Sequence, residues 1–277
     1  MKYGIEEKLY IEIICEAEGK KATAIISGGH THFVYVARGE EVLVNKQTSA
    51  SNDASTEDVE LTLRKVYDFA MESPIDELKF ILETRNLNKK AAERSFQGNY
   101  GHQLGKTLNS KKNEKLMLGD NTFTHILSYT SAACDARMAG AMIPVMSNSG
   151  SGNQGITATL PVVVYAEDNH KSEEELIRAL AMSHLTVIYI KQSLGRLSAL
   201  CGCVVAATGS SCGITYLMGG GYEQVTYSVK NMIANITGMI CDGAKPSCAL
   251  KLTSGVSTAV LSAILAMEGK CVTSVEG

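Results

Sequence analysis

The sequence predicts an α+β protein, with a small antiparallel sheet domain over residues 1–50 followed by a larger, mainly α-helical bundle domain over residues 51–277. Two observations predict it. Between Lys8 and Asn45, apolar and polar residues alternate through "LYIEIICEAE", "KATAIISGG", "THFVYVARG" and "EEVLVNK", short β-branched runs separated by Gly, Lys and Glu. Beyond the polar linker "KQTSASNDASTED" the apolar spacing becomes helical and stays so.

The four alternating runs give four antiparallel strands. In the linker, Ser55 or Thr56 is placed to cap a helix beginning near Asp58. Ser73 before Pro74, with Asp76 and Glu77 following, marks a second helix start. Asp120 to Met142 and Gly155 to Ala166 carry helical spacing, the latter with Pro161 as an expected kink. Ser172 and Glu175 form a capping box for "EEELIRALAMSHLTVIYI". Three apolar helices complete the chain, from Arg196 to Met218, Tyr222 to Ile240 and Pro246 to Met267. The sequence shows no internal repeat and no low-complexity tract.

With 45% apolar residues, the 277-residue chain can fill a substantial core. Its 26 basic and 29 acidic residues are interspersed and sum to -3, which gives no electrostatic footprint for nucleic acid or an anionic membrane. The opening residues are polar and then alternate, unlike a secretory leader, so the expectation is a cytoplasmic, reducing environment. Leu197 to Tyr222 carries no charge and is long enough to span a bilayer. It is nevertheless rich in Gly, Ser, Thr and Cys and lacks an aromatic belt, which predicts a buried central helix with a loop.

Eight cysteines under reducing conditions argue against a disulfide framework. Cys15, Cys134 and Cys271, each without a close cysteine neighbour, are expected to be small buried hydrophobes. Cys201, Cys203, Cys212, Cys241 and Cys248 crowd into the last third, as a soft metal site requires. Neither "CGCVVAATGSSCG" nor "CDGAKPSCALK" has zinc-like C-x-x-C spacing. An iron–sulfur cluster held by thiolates from separate junctions and a set of unconnected buried thiols both remain open. A cluster with only three protein thiolates would leave one iron free as a Lewis acid.

A third junction, "SNSGSGNQGI", places Gly150, Gly152 and Gly155 before a helix, where backbone N–H groups can converge as an anion nest. Ser149, Ser151 and Asn153 add donors, so a phosphate or substrate carboxylate is one reading and an ordinary capping turn the other. His30 and His32 in "SGGHTHF" alternate on a strand, so at most one of them reaches a site as a general base. His184 lies on an apolar helix and reads as core. Lys245 and Lys251 read as solvated or anion-pairing side chains, and the 11 methionines as core filler.

The stretches "CDARMAGAMIPVMSNSGSGNQGI", "RLSALCGCVVAA" and "NMIANITGMICDGAKPSCALK" resemble the L-cysteine desulfidase family, which is related to the alpha chain of bacterial iron–sulfur L-serine dehydratase. The resemblance runs from "GGHTH" to the end of the chain. In the serine dehydratases a Cys-Asp start, a second Cys several residues on and a Lys three beyond it recur, and here these fall on Cys241, Asp242, Cys248 and Lys251. The resemblance implies β-elimination without pyridoxal phosphate (PLP), dependent on a [4Fe–4S] cluster, that turns a small amino-acid substrate into pyruvate and ammonia. It implies Cys241 and Cys248 as ligands with Cys203 or Cys201 next, Lys251 near the substrate's charge, and Ser149, Gly150, Ser151, Gly152 and Asn153 around its carboxylate. The family's Gly-Cys-Thr-Glu-Pro motif is absent from this sequence. The expected partners are therefore a separate N-terminal segment or further copies of the chain in a homo-oligomer.

Overall fold

The structure is a computed structural model that describes residues 9–28, 32–46, 59–113, 115, 119–195 and 198–273. The chain divides into two compact units, Met1–Glu60 and Leu61–Gly277.

The first unit is an antiparallel meander of β1 (Tyr10–Ala17), β2 (Lys20–Ser27), β3 (Phe33–Arg38) and β4 (Glu41–Asn45), in the order β1-β2-β3-β4. Glu18 and Gly19 join β1 to β2, both with positive φ, as a type I′ hairpin needs. The pairing of β2 with β3 runs from Ile25↔Tyr35 to Ile26↔Phe33, so Val34 is an extra residue on β3. That bulge shifts the alternation, and Val34 and Ala37 are both buried although two residues, Tyr35 and Val36, separate them.

The second unit is helical: α1 (Leu63–Glu72), α2 (Ile75–Leu78), α3 (Leu82–Gln97), α4 (Leu104–Leu108), α5 (Lys111–Asn113), α6 (Thr122–Met138), α7 (Gly152–Asp168), α8 (Glu173–Leu194), α9 (Gly202–Leu217), α10 (Tyr222–Ile236) and α11 (Cys248–Met267). The expected α+β class is therefore observed. Helix α1 begins at Leu63, not near Asp58, because Thr62 caps it by accepting from Lys65 N; Ser55 and Thr56 lie outside the described residues. Pro74 precedes α2 as expected, and the Ser172–Glu175 capping box opens α8. Pro161 lies inside α7. Arg178 on α8 donates to the carbonyls of Ala70, Met71 and Ser73 at 3.0, 2.8 and 3.3 Å, satisfying the exposed end of α1.

Helix α9 is the centre of this unit and packs against α7, α8, α10 and α11. It is buried along nearly its whole length, as its small uncharged residues predict. A Cβ added at Gly209 would fall 2.3 Å from Ser183 O, and one at Gly213 would fall 2.9 Å from Ala179 O, so both glycines let α9 lie against the backbone of α8. Among the described residues, the helix long and apolar enough to cross a membrane is α11, and half of its apolar window is buried in the protein. The uncharged stretch from Leu197 yields the shorter α9, since the bridge at Leu200 and the cap at Cys201 precede the helix.

Candidate functional site

Four thiols from three helices meet in one part of the core. Cys134 lies in the second half of α6, Cys201 caps α9, Cys203 sits in its first turn and Cys248 opens α11. All four are buried in one apolar cluster with Ile156, Leu160 and Leu252, close enough to perturb one another's ionisation. A short antiparallel pairing fixes the approach to α9: Cys201 N donates to Met239 O at 2.9 Å and Cys241 N to Ala199 O at 2.7 Å. Cys241 is thereby held beside the segment that enters α9, with its side chain exposed.

The "CDGAKPSCALK" turn is braced by charge. Asp242 pairs with Lys245 and Lys251, each at 2.5 Å, and Lys251 Nζ also donates to Ile240 O at 3.1 Å. Hydrogen bonds from Lys245 and Lys251 hold the Asp242 carboxyl well below the usual range. The bond to Asp242 in turn raises Lys251, which therefore stays a cation. Both lysines are anion-paired, as expected from the sequence.

The buried thiols are not equivalent. A hydrogen bond from Cys203 lowers Cys201 to about 6 against the opposing effect of burial, helped by the N–H groups of Cys203 and Val204 and by the charge of Lys251. As the donor in that bond, Cys203 is pushed well up. Burial raises Cys134, with Cys248 and Asp135 adding to it. Cys212 lies apart in another core cluster, near Thr186 and Ser228, where burial pushes it to about 12.

The segment leading into α7 faces in two directions. Ser149 and Gly150 adopt positive φ, Asn148 and Ser151 exchange backbone hydrogen bonds, and Ser151 caps the helix by accepting from Gln154 N. Asn148 and Ser149 line an apolar cavity of about 440 Å³ together with Phe80, Met146, His184 and Ile188. His184 is the core histidine the sequence suggests: it contacts Thr159 and Asn148 at 3.0 Å each, and burial pushes it down to about 4. On the other side, Asn153 Oδ1 accepts from Arg137 Nη1 at 3.0 Å and from the Cys134 thiol at 3.7 Å. A Cβ on Gly202 would meet Gln154 Nε2 at 2.6 Å, so Gln154 lies directly against the turn that carries Cys201 and Cys203.

Of the site residues expected from sequence, Cys201, Cys203 and Cys248 are thus brought together, Cys241 and Lys251 flank them, and Gly152 and Asn153 adjoin them through α7. Ser149 is directed to the other cavity. His30 lies outside the described residues, and His32 contacts Ser27 O at 3.0 Å in the sheet unit. Two expectations about isolated thiols are corrected. Cys15 is exposed, because β1 presents most of its residues to solvent, and Cys134 joins the other thiols because α6 packs across α11 and α7. Cys271 is half-buried. Sequence reasoning also missed Arg137 and Gln154, although Cys134, Arg137 and Met138 stand at helical i, i+3, i+4 spacing on one face.

The donor set is soft, partly ionised and drawn from separate helix ends, which suits an iron–sulfur cluster. Among the described residues no three Cys, His, Asp or Glu side chains close on a single metal ion. A cluster spreads its ligands more widely than one ion does, so the thiols fit that group better than a mononuclear centre.

The chain belongs to the serine dehydratase alpha chain family, which matches residues 10–277. More particularly, it is 79% identical over 277 residues to a "UPF0597 protein" of Phocaeicola vulgatus, 64% over 274 residues to one of Parabacteroides distasonis and 44% over 273 residues to one of Shewanella halifaxensis. These alignments cover 100%, 98% and 97% of this chain but 64%, 64% and 62% of the relatives, so the chain spans under two thirds of their length.

Proposed function

We propose that the chain forms the core of an iron–sulfur-dependent, PLP-independent amino-acid lyase acting on L-cysteine or L-serine, with pyruvate, ammonia and sulfide or water as products. What supports this reading is the convergence of buried thiols from three helices in a member of the serine dehydratase alpha chain family. Cys241 and Cys248, with one of Cys201 and Cys203, are the three residues assigned to hold a [4Fe–4S] cluster and leave one iron open, and Cys201, low enough to ionise near neutrality, is the readier of that pair. When bound, such a cluster supplies a Lewis-acidic iron that draws electron density from the leaving thiolate or hydroxide.

The chain's own groups bind and orient. The N-terminal end of α7, from Gly150 to Asn153 and without Ser149, which lines the other cavity, receives the substrate carboxylate. Lys251, kept protonated by Asp242, contributes positive charge rather than proton abstraction, and His30 is the assigned base. Removal of the α-proton and loss of the β-substituent leave an enamine, whose hydrolysis releases ammonia and pyruvate. The reading places the protein in the cytoplasm, as a homo-oligomer or with a partner N-terminal segment.

The deciding experiment is anaerobic reconstitution followed by iron, acid-labile sulfide and product assays. A brown protein that releases sulfide or pyruvate, loses iron on Cys248→Ala and keeps it on Cys212→Ala is the expected result. An iron-free, colourless product sinks the proposal.

A second reading is favoured by the exposure of Cys241. On it the chain is non-catalytic by itself and supplies only part of the ligand set, with a separate segment or subunit bringing another cysteine. Turnover by the isolated chain would exclude it.

A further inference from the structure

Arg137 is a cation without an acidic partner among the described residues. It stands half-buried in the last turn of α6, and among the described residues no Asp or Glu pairs with it. Its Nη1 donates instead to Asn153 Oδ1 at 3.0 Å and to Met138 Sδ at 3.2 Å. Its Nε atom lies close to the first residue of α7, where a Cβ added at Gly152 would fall 2.3 Å away. A guanidinium therefore abuts the N-terminal end of a 17-residue helix, whose first N–H groups already carry positive partial charge. Two like-signed ends held together, partly out of water, call for an anion.

A second observation points the same way. Gln154, in the same first turn, is only 7% exposed, and among the described residues its Oε1 has no hydrogen-bond partner. A buried amide oxygen left without a donor is costly to keep, and such an orphan at a site end needs an explanation. Its amide lies against Gly202, between Cys201 and Cys203. The turn thus offers a cationic fork at one point and an unmet acceptor at another, both beside the thiols.

We propose that Arg137, with the first N–H groups of α7, binds the α-carboxylate of an amino acid, and that Gln154 Oε1 accepts from its ammonium group. The identity of the ligand as an amino acid rests on the lyase reading. Asn153 and Met138 fix the fork by taking the two Nη1 protons, which leaves the Nε–Nη2 edge for the paired oxygens of a carboxylate, a geometry that lysine does not reproduce. Gly152 is then required because any side chain there would displace the guanidinium.

The test is calorimetric titration of the full chain with L-serine, and with L-serinamide, which lacks the carboxylate, for the parent, Arg137→Gln and Arg137→Lys. The expected result is at least tenfold weaker L-serine binding in R137Q, a smaller loss in R137K, and weak serinamide binding that neither variant changes. Iron and sulfide content after anaerobic reconstitution should match the parent. R137Q and R137K binding L-serine as tightly as the parent would overturn the proposal, as would a parent that does not prefer L-serine to the amide. Arg137-dependent L-serine binding by a protein that takes up no iron would support this subsite while refuting the lyase.

Discussion

Replacing Gly155 with Ala sets two effects of opposite sign against each other. Alanine is the better helix former by about 1 kcal/mol in a helix interior, which on its own would stabilise α7. The added Cβ, however, would fall 1.9 Å from Met146 O and 2.8 Å from Ser147 Cα, both immovable by side-chain rotation. Restoring ordinary contact requires the backbone at Met146 to retreat by about 1.5 Å, and overpacking of that kind costs ~1–3 kcal/mol or more. The retreat also strains the bonds of buried Asn88, which accepts from Met146 N at 2.9 Å and donates to Gly155 O at 3.2 Å, each worth about 1 kcal/mol. Sterics win, with a net loss of ~2–4 kcal/mol and a melting temperature lowered by about 5–15 °C. Thermal unfolding followed by circular dichroism measures it, with Gly238→Ala, where nothing lies within 4 Å of an added Cβ, as a near-neutral control. A G155A protein as stable as its parent would show that the contact with Met146 O carries no cost.

Three further outcomes are expected. His125 lies between Asp168 and Asp120, each at 2.7 Å; burial lowers its pKa, but the bonds and charges of the two carboxylates outweigh that and raise it. Its stabilisation is fully present below the unfolded pKa of about 6.5 and fades as pH rises through the raised folded value, so His125→Gln should be more harmful at pH 5.5 than at pH 9 in urea titrations. Equal losses at both pH values would contradict this. Arg178→Lys should cost ~1–3 kcal/mol, because one ammonium cannot both replace Nη1 at the Ala70, Met71 and Ser73 carbonyls and keep the Nε and Nη2 bonds to Glu174, and hydrogen exchange should show the end of α1 opening sooner. Brief alkylation of the native protein should label Cys15 and Cys241, both exposed, before Cys134 and Cys212; mass spectrometry that found the reverse order would show that the thiol burial is misassigned.

The sheet was legible because each strand is short, alternating and ended by its own turn residues, with Gly19 and Gly39 both at positive φ. Ser172 and Glu175 announced α8 by local chemistry alone. Helix α1 was less visible, since Thr62 competes with several equally good capping residues upstream and only the core decides between them. The crowding of cysteines into the last third of the chain found Cys201, Cys203 and Cys248. It could not find Cys134 or Arg137, because their approach depends on α6 crossing α7 and α11, a tertiary contact that no local spacing encodes. Ser149 shows the converse: neighbours in "SNSGSGNQGI" separate in space once the chain turns through two residues of positive φ.

The thiols stand at helix ends contributed by α6, α9 and α11, which are far apart along the chain. During synthesis the thiols do not come together until α11 emerges and docks, so any cofactor that they hold must be acquired after that helix has folded. The same order means that fraying at the start of α11 would draw Cys248 away from the other thiols while leaving most of the core intact. Loss of function under mild stress would therefore precede loss of structure.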